Sequence, residues 1–386
     1  MTKRIAILGS TGSIGQQTLQ VAAALGDQVA VIALGAGNNV DLLLEQAARF
    51  RPAYVASPAL ATGNADAASA GCRMLGMEEL AVLPEADLIM VATVGRVGLG
   101  PTMAALRAGK TVAIANKEVL VIAGAFLTAA AKASGATILP IDSEHSAIWQ
   151  CLRGEGAQEL GSAPPGVARL ILTASGGPFC DFDTPALARV TAAEALQHPT
   201  WQMGPKITVD SATLMNKGLE LIEAHWLFAM PYERIDVVLH RESIVHSMVE
   251  FVDGSLKAQM GLPDMRTPIQ YALTYPTRMA APWPRLEVAT LGQLSFGRVD
   301  EEKFPCLRLA RYAGQRGGTY PAVLSAADEV AVAAFLAGAI GFLEIPALVE
   351  RVLESHDSNP RPTLDDVLAA DDWARQRCRG LMTGVR

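Results

Sequence analysis

The residues with the clearest chemical potential begin at Asp142, Ser143 and Glu144, where two carboxylates stand two positions apart just after an apolar run. In an extended segment residues two apart project to the same side. With a third carboxylate from elsewhere they would make an all-oxygen site of the kind that holds Mg²⁺ or Mn²⁺. A second supplier lies between Asp210 and Phe228. Read as one helix at about 100° per residue, it gathers Asn216, Lys217, Glu220 and Glu223 into an arc of about 120°. Leu214, Leu221, Ile222, Trp226 and Phe228 fill the remainder, and Asp210 or Ser211 can cap its start. An amide, an ammonium and carboxylates on one compact face would hold a phosphate and a metal ion together. Taken alone, each segment is more often a solvated turn or an ordinary amphipathic face.

Other segments carry the same flavour. Gly9, Gly12 and Gly15 follow the first apolar strand and open the first helix. Glycines there permit a tight turn and let backbone N–H groups approach a pyrophosphate at the helix start. The spacing is GxxGxxG rather than GxGxxG, so position supplies most of the signal. The second strand ends at Gly37, Asn38 and Asn39 with no Asp or Glu for a ribose 2′-OH, which leans towards NADP, whose 2′-phosphate a carboxylate would repel. Asn116, Lys117 and Glu118 end the fifth strand, placing a lysine at the same sheet edge as Asp142. Ser175, Gly176 and Gly177 follow an apolar strand at 170–172 and offer an anion-binding backbone nest. Residues 198–206, from His198 through Trp201 to Lys206, have Pro and Gly near both ends, the composition of a lid loop. His145, beside Glu144, reads as a helix-start histidine bonded to backbone rather than a metal ligand. No GxSxG motif is present and no base accompanies the scattered cysteines, which sets aside Ser and Cys nucleophiles.

These groups need a scaffold. Strands are expected at 4–8, 29–34, 54–56, 88–92, 111–115 and 137–141, alternating with helices at 14–25, 40–50, 101–108 and 118–134. That alternation is an α/β fold with an N-terminal Rossmann-like parallel sheet. After Asp142 comes a central α+β catalytic domain with strands at 244–251 and 256–260, then a Pro-rich stretch over 276–298. Helical runs at 306–313, 322–337, 345–354 and 363–377 imply a C-terminal helical bundle. The expected division is 1–142, 143–275, a linker at 276–302, and 303–386.

Composition narrows the function classes. The 386 residues hold 39 acidic against 32 basic side chains, a net charge of −7, which argues against a broadly basic nucleic-acid binder. The longest apolar stretch near the C-terminus, 330–343, has 14 residues, and a bilayer span needs about 20. No membrane partner is expected. Cys72, Cys151, Cys180, Cys306 and Cys378 form no CxxC pair, and the chain runs at once into an apolar strand without room for an export signal. A reducing cytoplasm fits.

Taken together, these motifs resemble the 1-deoxy-D-xylulose 5-phosphate reductoisomerase family over nearly the whole chain. The resemblance rests on residues 9–15, 115–118, 142–145, 175–179, His198, Trp201, Met203, Gly204, 209–213, 215–220 and 263–268. It implies an NADPH-dependent, divalent-metal-dependent enzyme, a homodimer, that takes a small phosphorylated ketose. Thr11, Gly12, Ser13 and Ile14 would then cradle the cofactor phosphates, with Gly37, Asn38 and Asn39 at the adenosine ribose. Many members carry Lys where this chain has Asn38. Asn116 and Glu118 would lie near the nicotinamide half, with Gly204 approaching from the lid. Asp142, Glu144 and Glu220 match the metal ligands, while Lys117 and Ser143 would contact the reacting part of the substrate. Ser175, His198, Ser211, Asn216 and Lys217 would hold its phosphate and nearby hydroxyls, and Lys117 and Glu144 are the candidates for proton transfer. Two rival readings are a metal-free NADP-dependent dehydrogenase and a catalytically silent nucleotide sensor. The complete set of three carboxylates with Lys117 argues against the sensor, and loss of activity on chelation would separate the dehydrogenase.

Overall fold

Seven short strands pair in parallel, and the central ones are runs of apolar residues that water never reaches. In the computed structural model these are β1 (Lys3–Leu8), β2 (Val29–Gly35), β3 (Tyr54–Ala56), β4 (Arg73–Met74), β5 (Leu88–Val91), β6 (Thr111–Ile114) and β7 (Thr137–Pro140), in the order β4-β3-β2-β1-β5-β6-β7. The structure describes residues 2–60, 71–156 and 165–383; parts of the expected domains at 1, 61–70, 157–164 and 384–386 lie outside the described residues. Ile5 to Leu8 and Leu88 to Val91 are buried on both faces, as parallel strands covered by helices must be. The covering helices include α1 (Ser13–Leu25), α2 (Val40–Phe50), α3 (Met77–Ala81), α4 (Leu99–Arg107) and α5 (Lys117–Ser134). The sequence led us to expect six strands. The seventh, β4, has two residues at the sheet edge, too few to show any period. Strand order reverses at β1, between β2 and β5, and a ligand crevice opens at the carboxyl ends there.

A second, mixed sheet orders its strands β11-β10-β8-β9-β12, with β8 (Val167–Ala174), β9 (Ile235–Leu239), β10 (Val245–Phe251), β11 (Leu256–Met260) and β12 (Gly297–Arg298). Only β8 and β9 run parallel. The Pro-rich stretch contributes β12, whose Gly297 and Arg298 pair with Leu239 and Val238. Around this sheet lie α6 (Ser143–Cys151), α7 (Thr184–Leu187), α8 (Ala192–Ala195), α9 (Pro205–Thr213), α10 (Met215–Phe228) and α11 (Arg266–Thr274). The last four helices are α12 (Pro305–Arg316), α13 (Tyr320–Leu336), α14 (Glu344–Glu354) and α15 (Leu364–Thr383). Among the described residues no helix is long and apolar enough to cross a membrane.

Helix α10 is the element that matters most for the site, and two glycines set its place. A Cβ at Gly124 of α5 would fall 2.3 Å from the Trp226 ring, and one at Gly218 would fall 2.4 Å from Cβ of Ala310 on α12. With no side chain at either position, α10 beds directly onto both neighbours, and one continuous apolar core joins the parallel sheet to the C-terminal helices. The single helix expected over 210–228 is in fact two. Leu214 takes a left-handed conformation, φ 63°, between α9 and α10. Its side chain is buried, 3% exposed, so core packing holds a backbone turn that the local sequence does not demand. Asp210 and Ser211 therefore sit near the end of α9 and cap nothing at the start of α10.

Candidate active site

The glycine turn is built by close approach. Gly9 has φ 95°, and a Cβ there would lie 2.4 Å from the Ala92 carbonyl oxygen. A Cβ at Gly15 would lie 2.2 Å from the carbonyl oxygen of Gly9. The N–H groups of Gly9 and Ser10 both donate to the Gly35 carbonyl at 2.8 Å, tying the turn to β2. Gly12 is the N-cap of α1, which has no side-chain cap and no acid in its first turn. The N–H groups of Ser13 and Ile14 are thereby left for an anion. Gly37, Asn38 and Asn39 are exposed beyond β2. The Asn39 side-chain oxygen is already used, accepting from Leu42 N at 3.2 Å as the cap of α2. Asn116 is committed as well, because its Nδ2 donates to Thr93 Oγ1 at 3.0 Å and to the Gly95 carbonyl at 2.9 Å. It holds the loop after β5 in place.

Asp142, Ser143 and Glu144 are not extended. Asp142 is the N-cap of α6, and Glu144 lies in its first turn. Asp142, Glu144 and Glu220 nevertheless each offer a carboxylate oxygen, all within 4.8 Å of one another. Lys117 Nζ lies 2.6 Å from Asp142 Oδ2 and 3.1 Å from Glu220 Oε1, and donates to Asn216 Oδ1 at 2.6 Å. Lys217 Nζ lies 2.6 Å from Glu144 Oε1 and also pairs with Glu220 Oε2. Burial disfavours both ammonium groups, but the surrounding carboxylates outweigh it and raise Lys117 well above, and Lys217 above, the usual lysine range. Glu220 is raised by burial and by Glu144 against the pull of the two lysines.

Glu223 lies elsewhere than expected. The helical arc placed it with Glu220 on an open polar face, yet it is fully buried, with His145 Nδ1 3.4 Å from its Oε2. His145 Nε2 lies 2.8 Å from the Glu220 carbonyl and must donate to it, which matches the backbone-bonded reading. The neutral ring then turns a lone pair towards Glu223. Burial, then Asp142, push Glu223 well above the usual carboxylate range. Three carboxylates, Asp142, Glu144 and Glu220, thus share this pocket with two ammonium groups. Three converging oxygen donors with an excess of negative charge suit a hard divalent cation.

At the other end of the cleft, His198 Nδ1 accepts from the N–H of Trp201 at 2.9 Å and of Thr200 at 3.2 Å. The ring proton is therefore on Nε2, which lies 3.0 Å from Ser175 Oγ and 3.1 Å from Ser211 Oγ. Burial lowers the His198 pKa to about 4, so at neutral pH the ring is uncharged. With their oxygens turned to the imidazole, the two hydroxyl protons are free to donate into the cleft. Gly177 makes this meeting possible: a Cβ there would lie 2.8 Å from the Ser211 carbonyl oxygen, so the Ser-Gly-Gly turn serves to lay β8 against α9. Trp201, Gln202, Met203 and Gly204 line the same cleft, which encloses about 1060 Å³ including space open to solvent. It reaches from Ser13 and Ile14 to Glu220 and Lys217.

Sequence reading missed His246, which is 8% exposed, lines the cleft opposite Trp201, and has its pKa lowered by burial to about 4. The available signal was a histidine among buried positions of the strand Val245–Phe251. Ser243, at φ 51° and bonded to Thr200, left no sequence trace.

Comparison with known proteins agrees along the chain. Residues 5–124 match the family described as 1-deoxy-D-xylulose 5-phosphate reductoisomerase, 138–228 its C-terminal domain, and 260–377 the DXP reductoisomerase C-terminal domain. The chain is 52% identical over 385 residues to the 1-deoxy-D-xylulose 5-phosphate reductoisomerase of Heliobacterium modesticaldum, covering 97% of this chain and 96% of that one. It is 51% identical over 393 residues to that of Geobacillus kaustophilus, covering 99% and 100%. The Zymomonas mobilis reductoisomerase, solved in complex with NADPH, aligns with a TM-score of 0.91 at 42% identity over 99% of both chains. A crystal structure of DOX-P reductoisomerase with NADPH, fosmidomycin and magnesium aligns at 0.90 and 39% identity, over 99% of this chain and 98% of that one. This chain belongs to the 1-deoxy-D-xylulose 5-phosphate reductoisomerase family.

Proposed function

We propose that the chain rearranges 1-deoxy-D-xylulose 5-phosphate and reduces the resulting aldehyde with NADPH, giving 2-C-methyl-D-erythritol 4-phosphate for isoprenoid precursors. One observation carries the reading: Asp142, Glu144 and Glu220 converge within 4.8 Å of one another beside Lys117, at the carboxyl edge of the sheet that opens with the glycine turn. These three would hold Mg²⁺ or Mn²⁺. Thr11, Gly12, Ser13 and Ile14 would hold the NADPH phosphates, Gly37, Asn38 and Asn39 the adenosine ribose, and Asn116, Glu118 and Gly204 would flank the nicotinamide half. When bound, the divalent ion supplies Lewis acidity to developing oxyanion charge, and NADPH supplies the hydride.

The protein's own groups bind, orient and exclude water. The His198, Ser175 and Ser211 cluster, with Asn216 and Lys217, holds the phosphate and adjacent hydroxyls. Lys117, an ammonium ion flanked by carboxylates, and Glu144, bonded to Ser143 Oγ at 2.5 Å, stand where protons would move at the reacting carbons. Trp201 and Met203 close over them and keep water from the aldehyde. We assign residues 1–142 to NADPH binding, 143–275 to catalysis and the dimer contact, 276–302 to a connection and 303–386 to a helical bundle. A homodimer is proposed through the second sheet, whose edge strand β11 leaves Leu256 and Met260 exposed. The scattered cysteines suit a cytoplasmic location.

The test is NADPH oxidation with deoxyxylulose phosphate present, before and after chelation. Turnover that disappears on metal removal and returns with Mg²⁺ or Mn²⁺ supports the reading. Metal-independent turnover, or NADPH binding with no oxidation, overturns it.

A further inference from the structure

Outside the catalytic cluster, charged side chains are buried where α13 meets the base of the lid and the loop after β5. Lys206, at the end of the lid segment, places Nζ 2.6 Å from Asp210 Oδ2, 2.9 Å from Asp328 Oδ2 and 3.9 Å from Glu118 Oε1. Asp210 is 2% exposed and Asp328 is fully buried. Oδ1 of each has no hydrogen-bond partner among the described residues. One ammonium thus serves two buried carboxylates from different parts of the chain. A buried ion pair of this sort is a poor source of stability compared with apolar packing. What it provides is a fixed geometry, because a charged end that leaves its partner strands that partner in the interior.

The next residue on α13 points elsewhere. Successive helical positions differ by about 100°, and Glu329 faces the loop after β5 instead of the lid. Its Oε2 lies 2.7 Å from an Arg375 guanidinium nitrogen. Arg375 Nε in turn pairs with the buried Asp371 at 2.6 Å, and Asp371 pairs with Arg96 at 2.8 Å. Arg96 belongs to that loop, and a Cβ at its neighbour Gly95 would come 3.1 Å from Glu329 Oε1. Asn116 grips the same loop from the other side.

We propose that Asp328 and Glu329 are positioning residues through which the C-terminal helices hold the base of the lid and the loop that packs against the glycine turn. Asp328 fixes the base of the lid through Lys206, and Glu329, through Arg375, Asp371 and Arg96, fixes the loop after β5, whose start packs against Gly9 of the glycine turn. Neither residue touches the reacting groups. The C-terminal helices act as a brace on the lid base and on the loop after β5.

Hydrogen–deuterium exchange on the full-length protein tests this without reference to turnover. Asp328→Ala is expected to raise exchange over 198–209 and leave 93–98 unchanged, while Glu329→Ala does the reverse. Lys206→Met should reproduce Asp328→Ala, and the double variant should be no looser than either single one. Asp328→Asn, which keeps an acceptor for Lys206, should restore most of the protection. Should Asp328→Ala not fold, Lys206→Met against Glu329→Ala gives the same comparison. Kinetically, in an arm that rests on the activity proposed above, Asp328→Ala should raise KM for the phosphorylated ketose about two- to thirtyfold with the NADPH Kd held. Glu329→Ala should instead weaken NADPH. Equal loosening of both segments by either variant, no loosening by either in folded protein, or an additive double variant overturns the proposal. Failure of the kinetic arm alone, with the exchange pattern as expected, removes the activity reading and leaves the brace standing.

Discussion

Lys117 Nζ lies 2.6 Å from Asp142 Oδ2, although the two residues are 25 positions apart in the chain. They follow β6 and β7, neighbouring parallel strands, and adjacent strands lie about 4.8 Å apart. An ammonium and a carboxylate just beyond two such strand ends have no choice but to meet. Glu220 and Asn216 arrive from a different layer, on α10, and the site exists only because that helix is seated on α5.

Removing charge from that second layer is the sharpest probe of metal holding. Glu220→Gln preserves shape and the contact with Asn216 but takes away one of three carboxylates. Apparent Mg²⁺ affinity and turnover should both fall at least about tenfold, the usual cost of disturbing even the outer partners of a metal ligand. NADPH binding, followed by fluorescence, should persist. Undiminished catalysis would remove Glu220 from the ligand set.

Acid should destabilise the fold through its neutral histidines. His198 and His246 each have a folded pKa of about 4 against an ordinary 6.5. Between these limits the unfolded chain binds the extra protons. Stability is therefore complete above about pH 6.5 and declines as pH falls towards 4. In urea melts, His198→Asn should flatten part of that decline, with His246 accounting for the remainder. A slope identical to the parent protein's would show that His198 is not held neutral.

Gly124→Ala drives a methyl group into the Trp226 ring, at the 2.3 Å approach noted above. Overpacking of this kind costs about 1–3 kcal/mol. Because Trp226 is on α10, the substitution should also displace Lys217 and Glu220, lowering turnover in protein that remains folded. Unaltered urea midpoints would mean that the helix pair repacks freely.

Asn38 is exposed beside the expected ribose position. Asn38→Lys should tighten NADPH, but not NADH, by about two- to fivefold, the range of an exposed charge pair. Titration of the two cofactors decides it: equal ratios before and after would place 2′-phosphate recognition on other residues.

The amino-acid sequence by itself determined the parallel sheet, the glycine turn and the identities of the polar groups. Strands such as 5–8 and 88–91 are legible because a strand buried on both faces is a continuous apolar run, and Gly9 is legible because a turn into a helix leaves room for nothing larger. Tertiary structure decided what local signals cannot carry. The break at Leu214 has no breaker residue; it is imposed by a buried leucine in a left-handed conformation, so the single helix read over 210–228 was the natural error. Glu220 and Glu223 look alike three positions apart on one helix, yet one joins Lys117 and Lys217 and the other is enclosed against His145. Periodicity tells which way a side chain points from its own helix axis, but its charge state and partner depend on what the rest of the chain packs opposite, and that is a property of the assembled core.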